Sequence, residues 1–237
     1  MRSLLFVPAH REDLIEKALK SEADILIFDL EDSCPEKFHE QGMLNIMKYE
    51  CKKKLVRVRN YYDRHDLEDF CDNFIMPKYE SPVIQIRPFG LIETATGVLN
   101  SGNLAHYCEG LIFGNEDYLA DTGCSDYSFA RGMIVNAAKA AGVLAIDSVY
   151  IKIGKELNFM IRCETSYSDG FDGTLCLTPE QARIANQCYM PDENEHAHAL
   201  KVLDAPEGVT MVDGQIIGPP MIKRAKKIIS KYEKYTK

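Results

Sequence analysis

Two carboxylates interrupt apolar segments at equivalent places in the sequence. Glu93 directly follows Leu91 and Ile92, and Asp117 follows the apolar run of residues 111–113. A buried carboxylate is costly unless it is paired or bound to a cation. Because each acid lies at the carboxyl end of an apolar run, with one helix and one strand between them, the pattern predicts an oxygen-ligand metal site at one rim of a parallel sheet.

Magnesium is the metal that this pair of acids favours, with Mn²⁺ as an alternative. Mg²⁺ usually takes one or two protein carboxylates and leaves its other positions to water and substrate oxygens. Glu93 and Asp117 would supply the two carboxylates. A 2-oxo acid could chelate the metal through its keto and carboxylate oxygens, and Arg57 could stabilise the enolate oxygen that develops when a carbon–carbon bond breaks.

Two further charged groups lie at predicted strand ends, and each has a structural alternative. The acidic segment 29–32 closes the second strand, and Arg57 and Arg59 alternate with valines, which places both on one face of the third strand. The acids could instead cap a helix, and the arginines could form ion pairs with them. Likewise, Glu93 could cap the following helix, and Asp117 could be an ordinary loop acid.

The elements that must position these residues follow a repeating strand–helix pattern. Short apolar runs alternate with amphipathic stretches, which predicts an α/β fold, a (β/α)8 TIM barrel, because eight strand segments are present. The predicted strands are Ser3–Pro8, Asp24–Leu30, Lys54–Arg59, Asn73–Met76, Val83–Glu93, Gly110–Phe113, Ala145–Ile151 and Gly173–Leu177. The predicted helices are Arg11–Ser21, Glu36–Cys51, His65–Cys71, Thr96–Tyr107, Tyr127–Ala141 and Glu180–Tyr189.

Two parts of the chain depart from an ideal barrel. Residues 79–90 leave little room for a helix, so the connection between strands 4 and 5 is predicted to be shortened. After the eighth unit, a turn-rich connector at 213–220 leads to a C-terminal helix at 221–235 whose apolar stripe docks either on its own domain or on a neighbouring subunit. With 237 residues, we expect one domain over 1–237.

Composition excludes several classes of protein. The net charge of -8 and the pI near 5.3 argue against nucleic acid as a partner. No apolar run approaches the roughly 18 residues of a membrane span, and no secretory signal is evident. The eight cysteines form no C-x-x-C pair, which is typical of a reducing compartment. We therefore expect a soluble, cytoplasmic protein that acts on small molecules.

Several segments occur in the order seen in one enzyme family. They are Arg2–Arg11, Asp29–Asp32, Val56–Val58, Pro77-Lys78, Leu91–Gly97, Phe113–Tyr118, Ala145–Val149 and Gly170–Gly173. Over nearly its whole length, the sequence resembles the citrate lyase beta-subunit family. That family is a branch of the metal-dependent aldolase and malyl-CoA lyase superfamily, whose members are (β/α)8 barrels that commonly form trimers.

The resemblance implies roles for individual residues. It implies that Arg57 binds the 2-oxo acid, that Glu93 binds both substrate and Mg²⁺, and that Asp117 is the second metal ligand. Glu31 and Asp32 would reach metal-bound waters. The implied activity is that of a homotrimeric carbon–carbon lyase, with Arg57 and Glu93 as catalytic residues. Its substrates would be a 2-oxo acid such as oxaloacetate and an acyl-CoA or acyl-carrier thioester, and other lyase subunits are further possible partners.

The sequence also departs from the family pattern. Arg59 stands where the family usually has Asn, Thr174 replaces a frequent Lys, and residues 177–181 replace a usual Ile-His-Pro-x-Gln. If Arg59 faces the pocket, the pocket is more cationic than in the family. These departures bear on the thioester half of the substrate and leave two alternatives open: an aldolase for free hydroxy-oxo acids, or a non-catalytic subunit of a lyase complex.

Overall fold

A closed barrel of eight parallel strands occupies most of the chain. The computed structural model describes residues 1–60, 62–206 and 208–236. Neighbouring strands pair in chain order, and β8 closes on β1, which confirms the predicted (β/α)8 TIM barrel. The strands are β1 (Ser3–Pro8), β2 (Ile25–Asp29), β3 (Lys54–Arg57), β4 (Asn73–Met76), β5 (Phe89–Ile92), β6 (Gly110–Phe113), β7 (Leu144–Asp147) and β8 (Gly173–Cys176).

Alternation along each strand builds the barrel interior. Side chains that point inward share one apolar core, and the residues between them are buried on the outer side, as expected for parallel strands covered on both faces. The interior cluster is Leu4, Ile25, Ile27, Leu55, Ile75, Phe89, Leu91, Ile112, Ile146 and Leu175. Because all eight strands are parallel, their carboxyl ends form a single rim.

The helices outside this barrel agree only in part with the prediction. They are α1 (Glu12–Leu19), α2 (His39–Lys48), α3 (Ala95–Leu104), α4 (Asn115–Thr122), α5 (Ser128–Ala141), α6 (Glu156–Asp169) and α7 (Pro179–Cys188). Helices α4 and α6 were not predicted from the sequence. The predicted helix at 65–71 was wrong, since a 3₁₀ turn at Tyr62–Arg64 is followed there by turns.

Three predicted strands extend too far by two or more residues at one end. Strand β3 ends at Arg57, β7 ends at Asp147, and β5 begins only at Phe89, so residues 83–88 are irregular. Pro88 has no N–H to donate to a ladder, which limits β5 on its amino side.

No helix connects β4 to β5, as predicted. Residues 77–88 consist of turns and irregular backbone. The ring of Tyr79 packs on the outer side of β5 instead, where a Cβ added to Gly90 would lie 2.6 Å from Tyr79 Cδ1. Gly90 therefore makes room for an aromatic side chain where most other units of the barrel have a helix.

The chain divides into two compact units, residues 1–187 and 188–237, so the single domain over 1–237 stays a prediction. In the second unit, α8 (Glu193–Asp204) starts with a capping box, and β9 (Thr210–Val212) and β10 (Gln215–Ile217) form a hairpin before α9 (Pro219–Thr236). The predicted connector at 213–220 was thus wrong in part, because it contains β10. Among the described residues, no helix is both long and apolar enough to cross a membrane.

Candidate active site

Glu93 is a buried carboxylate that directly follows β5. Its side chain is 4% exposed, and Oε1 accepts a hydrogen bond of 2.7 Å from the backbone N–H of Lys78. Oε2 lies against Gly114, where an added Cβ would be only 2.8 Å away. Burial raises the pKa of Glu93 to about 7. No basic side chain in the described part of the chain forms an ion pair with this carboxylate.

The charges around Glu93 come from three other strand ends. Besides burial, the negative charges of Asp117 and Glu31 raise its pKa, whereas the positive charge of Arg57 lowers it. Asp117 lies in the first turn of α4, directly after β6, and is exposed. The structure therefore brings Glu93, Asp117, Glu31 and Arg57 together at the carboxyl rim.

Arg57 ends β3 and forms a fork with Asp29 at the end of β2. Its Nε and Nη2 donate to Asp29 Oδ1 and Oδ2, both at 2.7 Å, and Nη1 lies 2.9 Å from Glu31 and 3.0 Å from Asp32. Although burial opposes it, the hydrogen bonds from Arg57 hold the pKa of Asp29 below its usual value. The ion pair that the sequence left open as an alternative role for Arg57 is thus present.

Glu31 is the second carboxyl group at this rim whose pKa is raised. Desolvation raises its pKa to about 7 against the lowering effect of Arg57, and the charge of Asp32 adds to the rise. Its oxygen remains within 2.9 Å of Arg57 Nη1. Glu31 and Asp32 therefore lie between the Arg57 guanidinium and solvent, since Asp32 is 66% exposed.

Arg59 lies beyond the end of β3 and contacts the loop that follows β2. Its Nη2 donates to the carbonyls of Leu30 at 3.0 Å and Cys34 at 2.6 Å, and its guanidinium pairs with Glu36. The guanidinium therefore fastens the β2–α2 loop. The alternative that Arg59 pairs with the acids at 29–32 was wrong, because its ion-pair partner is Glu36.

Another buried charge pair at this rim was missed by sequence reasoning. Asp147, at the end of β7, is fully buried, and Arg131 of α5 donates to it at 2.5 Å. Arg162 of α6 donates to the neighbouring Ser148 hydroxyl, and Thr174 Oγ1 donates to the Ser148 carbonyl at 3.1 Å. The position of Asp147 at a strand end, equivalent to that of Asp29, was the signal that could have revealed it.

Gln181, in the segment 177–181, connects two loops at this rim. Its Oε1 accepts from the Leu177 N–H at 2.7 Å, and its Nε2 donates to the Tyr150 carbonyl at 2.9 Å. The side chain therefore ties the turn after β8 to the loop after β7.

The donor set at Glu93 fits a hard divalent cation. A carboxylate that is buried beside other acids and has a raised pKa gains most from a nearby positive charge. No group of three metal-ligating His, Cys, Asp or Glu side chains occurs among residues 1–60, 62–206 and 208–236. Mg²⁺ fits such a site because it needs only one or two protein carboxylates.

Comparison with known proteins identifies the family. The model of the HpcH/HpaI aldolase/citrate lyase family matches residues 83–179. A (3S)-malyl-CoA thioesterase from Cereibacter sphaeroides is 31% identical over 270 positions, covering 98% of this chain and 94% of that protein. The chain therefore belongs to the HpcH/HpaI aldolase/citrate lyase family and is an enzyme of the lyase class.

Solved structures agree with this assignment. The protein CitE from Mycobacterium tuberculosis, in complex with magnesium, acetoacetate and coenzyme A, matches with a TM-score of 0.85 and 26% identity over 98% of both chains. The citrate lyase beta subunit from M. tuberculosis, complexed with oxaloacetate and magnesium, matches with a TM-score of 0.72 and 26% identity, covering 80% of this chain and 97% of that one. The predicted resemblance to citrate lyase beta subunits is confirmed, and both of these solved structures contain magnesium.

Proposed function

We propose that this protein is a Mg²⁺-dependent carbon–carbon lyase that joins or separates a 2-oxo acid and an acyl thioester. The observation that carries the proposal is the Glu93 carboxylate, which is buried, has no ion-pair partner among the described residues and lies near enough to Asp117 for the charge of Asp117 to raise its pKa. Glu93 and Asp117 would hold the cation, with Mn²⁺ as a second metal to test. When bound, the metal supplies Lewis-acid polarisation of the oxo-acid oxygens.

The protein's own residues would position the oxo acid. Arg57 is held rigid by Asp29, and its Nη1 also lies near Glu31 and Asp32. A substrate carboxylate that displaced Glu31 or Asp32 from Nη1 would receive a planar, preorganised donor without any movement of β3. Arg57 would then bind the oxo acid and stabilise its oxygen as negative charge develops there in the cleavage or condensation step.

A cavity next to this rim suits the thioester. It measures about 700 Å³ and is lined by residues of the loop after β1, of the 3₁₀ turn at Glu36–Phe38 and of α2, among them His10, Arg11, Lys37 and Phe38. Coenzyme A or a carrier phosphopantetheine brings phosphates, which Arg11 and Lys37 could meet. A Lys37→Ala change is expected to raise KM for the thioester with little effect on kcat.

One comparison favours a second candidate reaction. The relative from Cereibacter sphaeroides is named a thioesterase, so hydrolysis of a hydroxyacyl-CoA is the alternative. A lyase converts malyl-CoA to glyoxylate and acetyl-CoA and citryl-CoA to oxaloacetate and acetyl-CoA. A thioesterase adds water and releases free CoA together with malate or citrate.

Product analysis separates the two reactions. The purified protein is incubated with each thioester in the presence of Mg²⁺, Mn²⁺ or a chelator, and oxo acid, acetyl-CoA and free CoA are quantified. We expect oxo acid and acetyl-CoA in equal amounts, and only with metal. Free CoA without oxo acid would favour the thioesterase, and equal rates with and without chelator would contradict the metal site.

We also propose that the protein is a cytoplasmic homotrimer. A monomer in light scattering at micromolar concentration would contradict the assembly.

A further inference from the structure

The backbone of Lys78, next to Glu93, has an unusual conformation. Its φ is 45°, in the left-handed region that residues with a side chain rarely adopt. In the described ranges, the only other non-glycine residue with positive φ is Asp213, which precedes Gly214 in the β9–β10 hairpin. There an Asp-Gly turn demands that conformation. Lys78 follows the end of β4, so its conformation must be imposed by its surroundings.

The cause lies in the pairing of β4 with β5. Met76 pairs with Gly90, and a regular parallel ladder would next bring the amide of residue 78 to the carbonyl of Leu91. The amide of Tyr79 donates to Leu91 O instead, at 3.0 Å. One extra residue is thus accommodated before the ladder resumes, as in a β-bulge. The extra residue releases the Lys78 N–H from the sheet, and that N–H donates to Glu93 Oε1 at 2.7 Å.

Tyr79, the residue after Lys78, fixes the backbone conformation of Lys78 from the carboxyl side. The residue is 3% exposed, and its ring fills the space above Gly90. Its hydroxyl accepts the Val83 N–H at 3.0 Å. Because the following residue is fixed by both its backbone and its side chain, the peptide that carries the Lys78 N–H has little freedom to turn away from Glu93.

We propose that Lys78 is a positioning residue that acts through its backbone. Its N–H occupies Oε1 of Glu93, so Oε2, which lies against Gly114, is the oxygen left for a cation or substrate. This inference deepens the proposed function and rests on it. A carboxylate with one oxygen already bonded loses less freedom when a ligand binds, and such supporting contacts are typically worth 10- to 100-fold in metal affinity. The exposed ammonium of Lys78 is not needed for this role.

Substitutions at position 78 separate the backbone from the side chain. Lys78→Ala removes the ammonium but has a similar backbone preference, and Lys78→Gly additionally permits positive φ without strain. Lys78→Val is β-branched and strongly resists positive φ. We expect the Ala and Gly variants to bind Mg²⁺ like the wild type in calorimetry with oxaloacetate present, and the Val variant to bind about 10- to 100-fold more weakly. Lys78→Thr, a smaller β-branched change, replaces Val if that variant does not fold.

A second readout needs no metal. Hydrogen exchange of the residue 78 amide, followed by NMR in the metal-free protein, should be slow in the wild type, Ala and Gly variants and fast in the β-branched variant. It should also be fast in Glu93→Ala, which lacks the acceptor oxygen. Loss of Mg²⁺ affinity in the Ala variant equal to that in the Val variant would assign the effect to the ammonium and overturn the proposal. So would unchanged affinity in the Val variant. A wild-type protein that binds no Mg²⁺ would contradict the proposed function instead.

Discussion

Two buried carboxylates on the same rim, Asp29 and Glu93, have opposite electrostatic environments. They are 1% and 4% exposed. Asp29 receives the guanidinium fork of Arg57, which keeps its pKa low against the effect of burial, whereas burial raises the pKa of Glu93 to about 7 and its hydrogen bond from the Lys78 amide only partly opposes this. Desolvation raises the pKa of both carboxyl groups, so the presence or absence of an ion-pair partner decides whether the pKa ends above or below its usual value. The carboxylate without an ion-pair partner among the described residues is the one suited to bind a cation from solution.

Neutralising Glu93 should have the largest effect. We expect Glu93→Gln to lower Mg²⁺-dependent turnover by about 10²–10³-fold or more, because the substitution removes a carboxylate that would bind both the metal and the substrate. Its thermal stability at pH 8 should equal or exceed that of the wild type, since a buried negative charge beside Asp117 and Glu31 is removed. Calorimetric titration with Mg²⁺ and a melting curve test both points. A Gln variant that binds Mg²⁺ as tightly as the wild type would refute the role of Glu93.

Neutralising Asp29 should lower stability and leave metal binding intact, which is the opposite of what we expect for Glu93. Asp29→Asn removes the charge that accepts the Arg57 fork and leaves the guanidinium with only Glu31 and the exposed Asp32 as charged partners. We therefore expect a loss of about 1.5–3 kcal/mol in the free energy of unfolding, the range for hydrogen bonds to charged groups. Urea denaturation measures this loss. Metal binding to the folded variant should persist, because Asp29 does not contribute to the Glu93 donor set. If Asp29→Asn weakened Mg²⁺ binding more than it lowered stability, the division between a structural and a metal-binding carboxylate would be wrong.

Adding a methyl group at Gly114 displaces the Glu93 carboxylate without removing its charge, so we expect a smaller effect than that of Glu93→Gln. The added Cβ would lie 2.7 Å from Glu93 Cβ and 2.8 Å from Oε2, so the carboxylate must shift. We expect Gly114→Ala to weaken Mg²⁺ binding by about 10- to 100-fold, like other changes that misalign a ligand. Gly132→Ala is the matched control, since its Cβ would contact nothing within 4 Å. Equal Mg²⁺ affinities of the two variants would show that Glu93 tolerates the displacement.

The pH dependence should be the smallest effect and the one that distinguishes the two acids. The pKa of Glu93 rises from 4.5 to about 7 on folding, so the folded state keeps a proton that the unfolded state releases. The stability that this difference contributes is complete below pH 4.5 and is lost as the pH rises to about 7. Asp29, whose pKa is lowered, contributes stability that is lost as the pH falls instead.

Metal binding should follow the same titration with the opposite sign. Because Mg²⁺ requires the ionised carboxylate, its affinity should fall by about tenfold for each pH unit below 7. Glu31 has a similar pKa of about 7, so the measurement is repeated with Glu31→Gln to assign the titration. An affinity that is constant between pH 5 and pH 8 would show that neither carboxyl group controls the site.

Much of this architecture could be predicted from the sequence because it depends on local pattern. Apolar runs identified all eight barrel strands, and the short spacing of residues 79–90 excluded a helix between β4 and β5. Helices α4 and α6 escaped because their exposed faces mix polar and apolar residues, and the acids of α4 resembled a loop. Chemistry at strand ends was predictable for the same local reason, since a carboxylate after an apolar run marks the rim of a parallel barrel.

The partners of the charged groups depended on tertiary structure. The sequence by itself placed Glu93, Asp117, Arg57 and the acids at 29–32 on one rim, because strand direction and residue type suffice for that. It did not decide that Arg57 binds Asp29 or that Arg59 fastens the β2–α2 loop, since those distances depend on how neighbouring strands pair and where β3 ends. Nor could it show the left-handed Lys78, because a one-residue shift in a strand ladder arises only when two distant segments pack against each other.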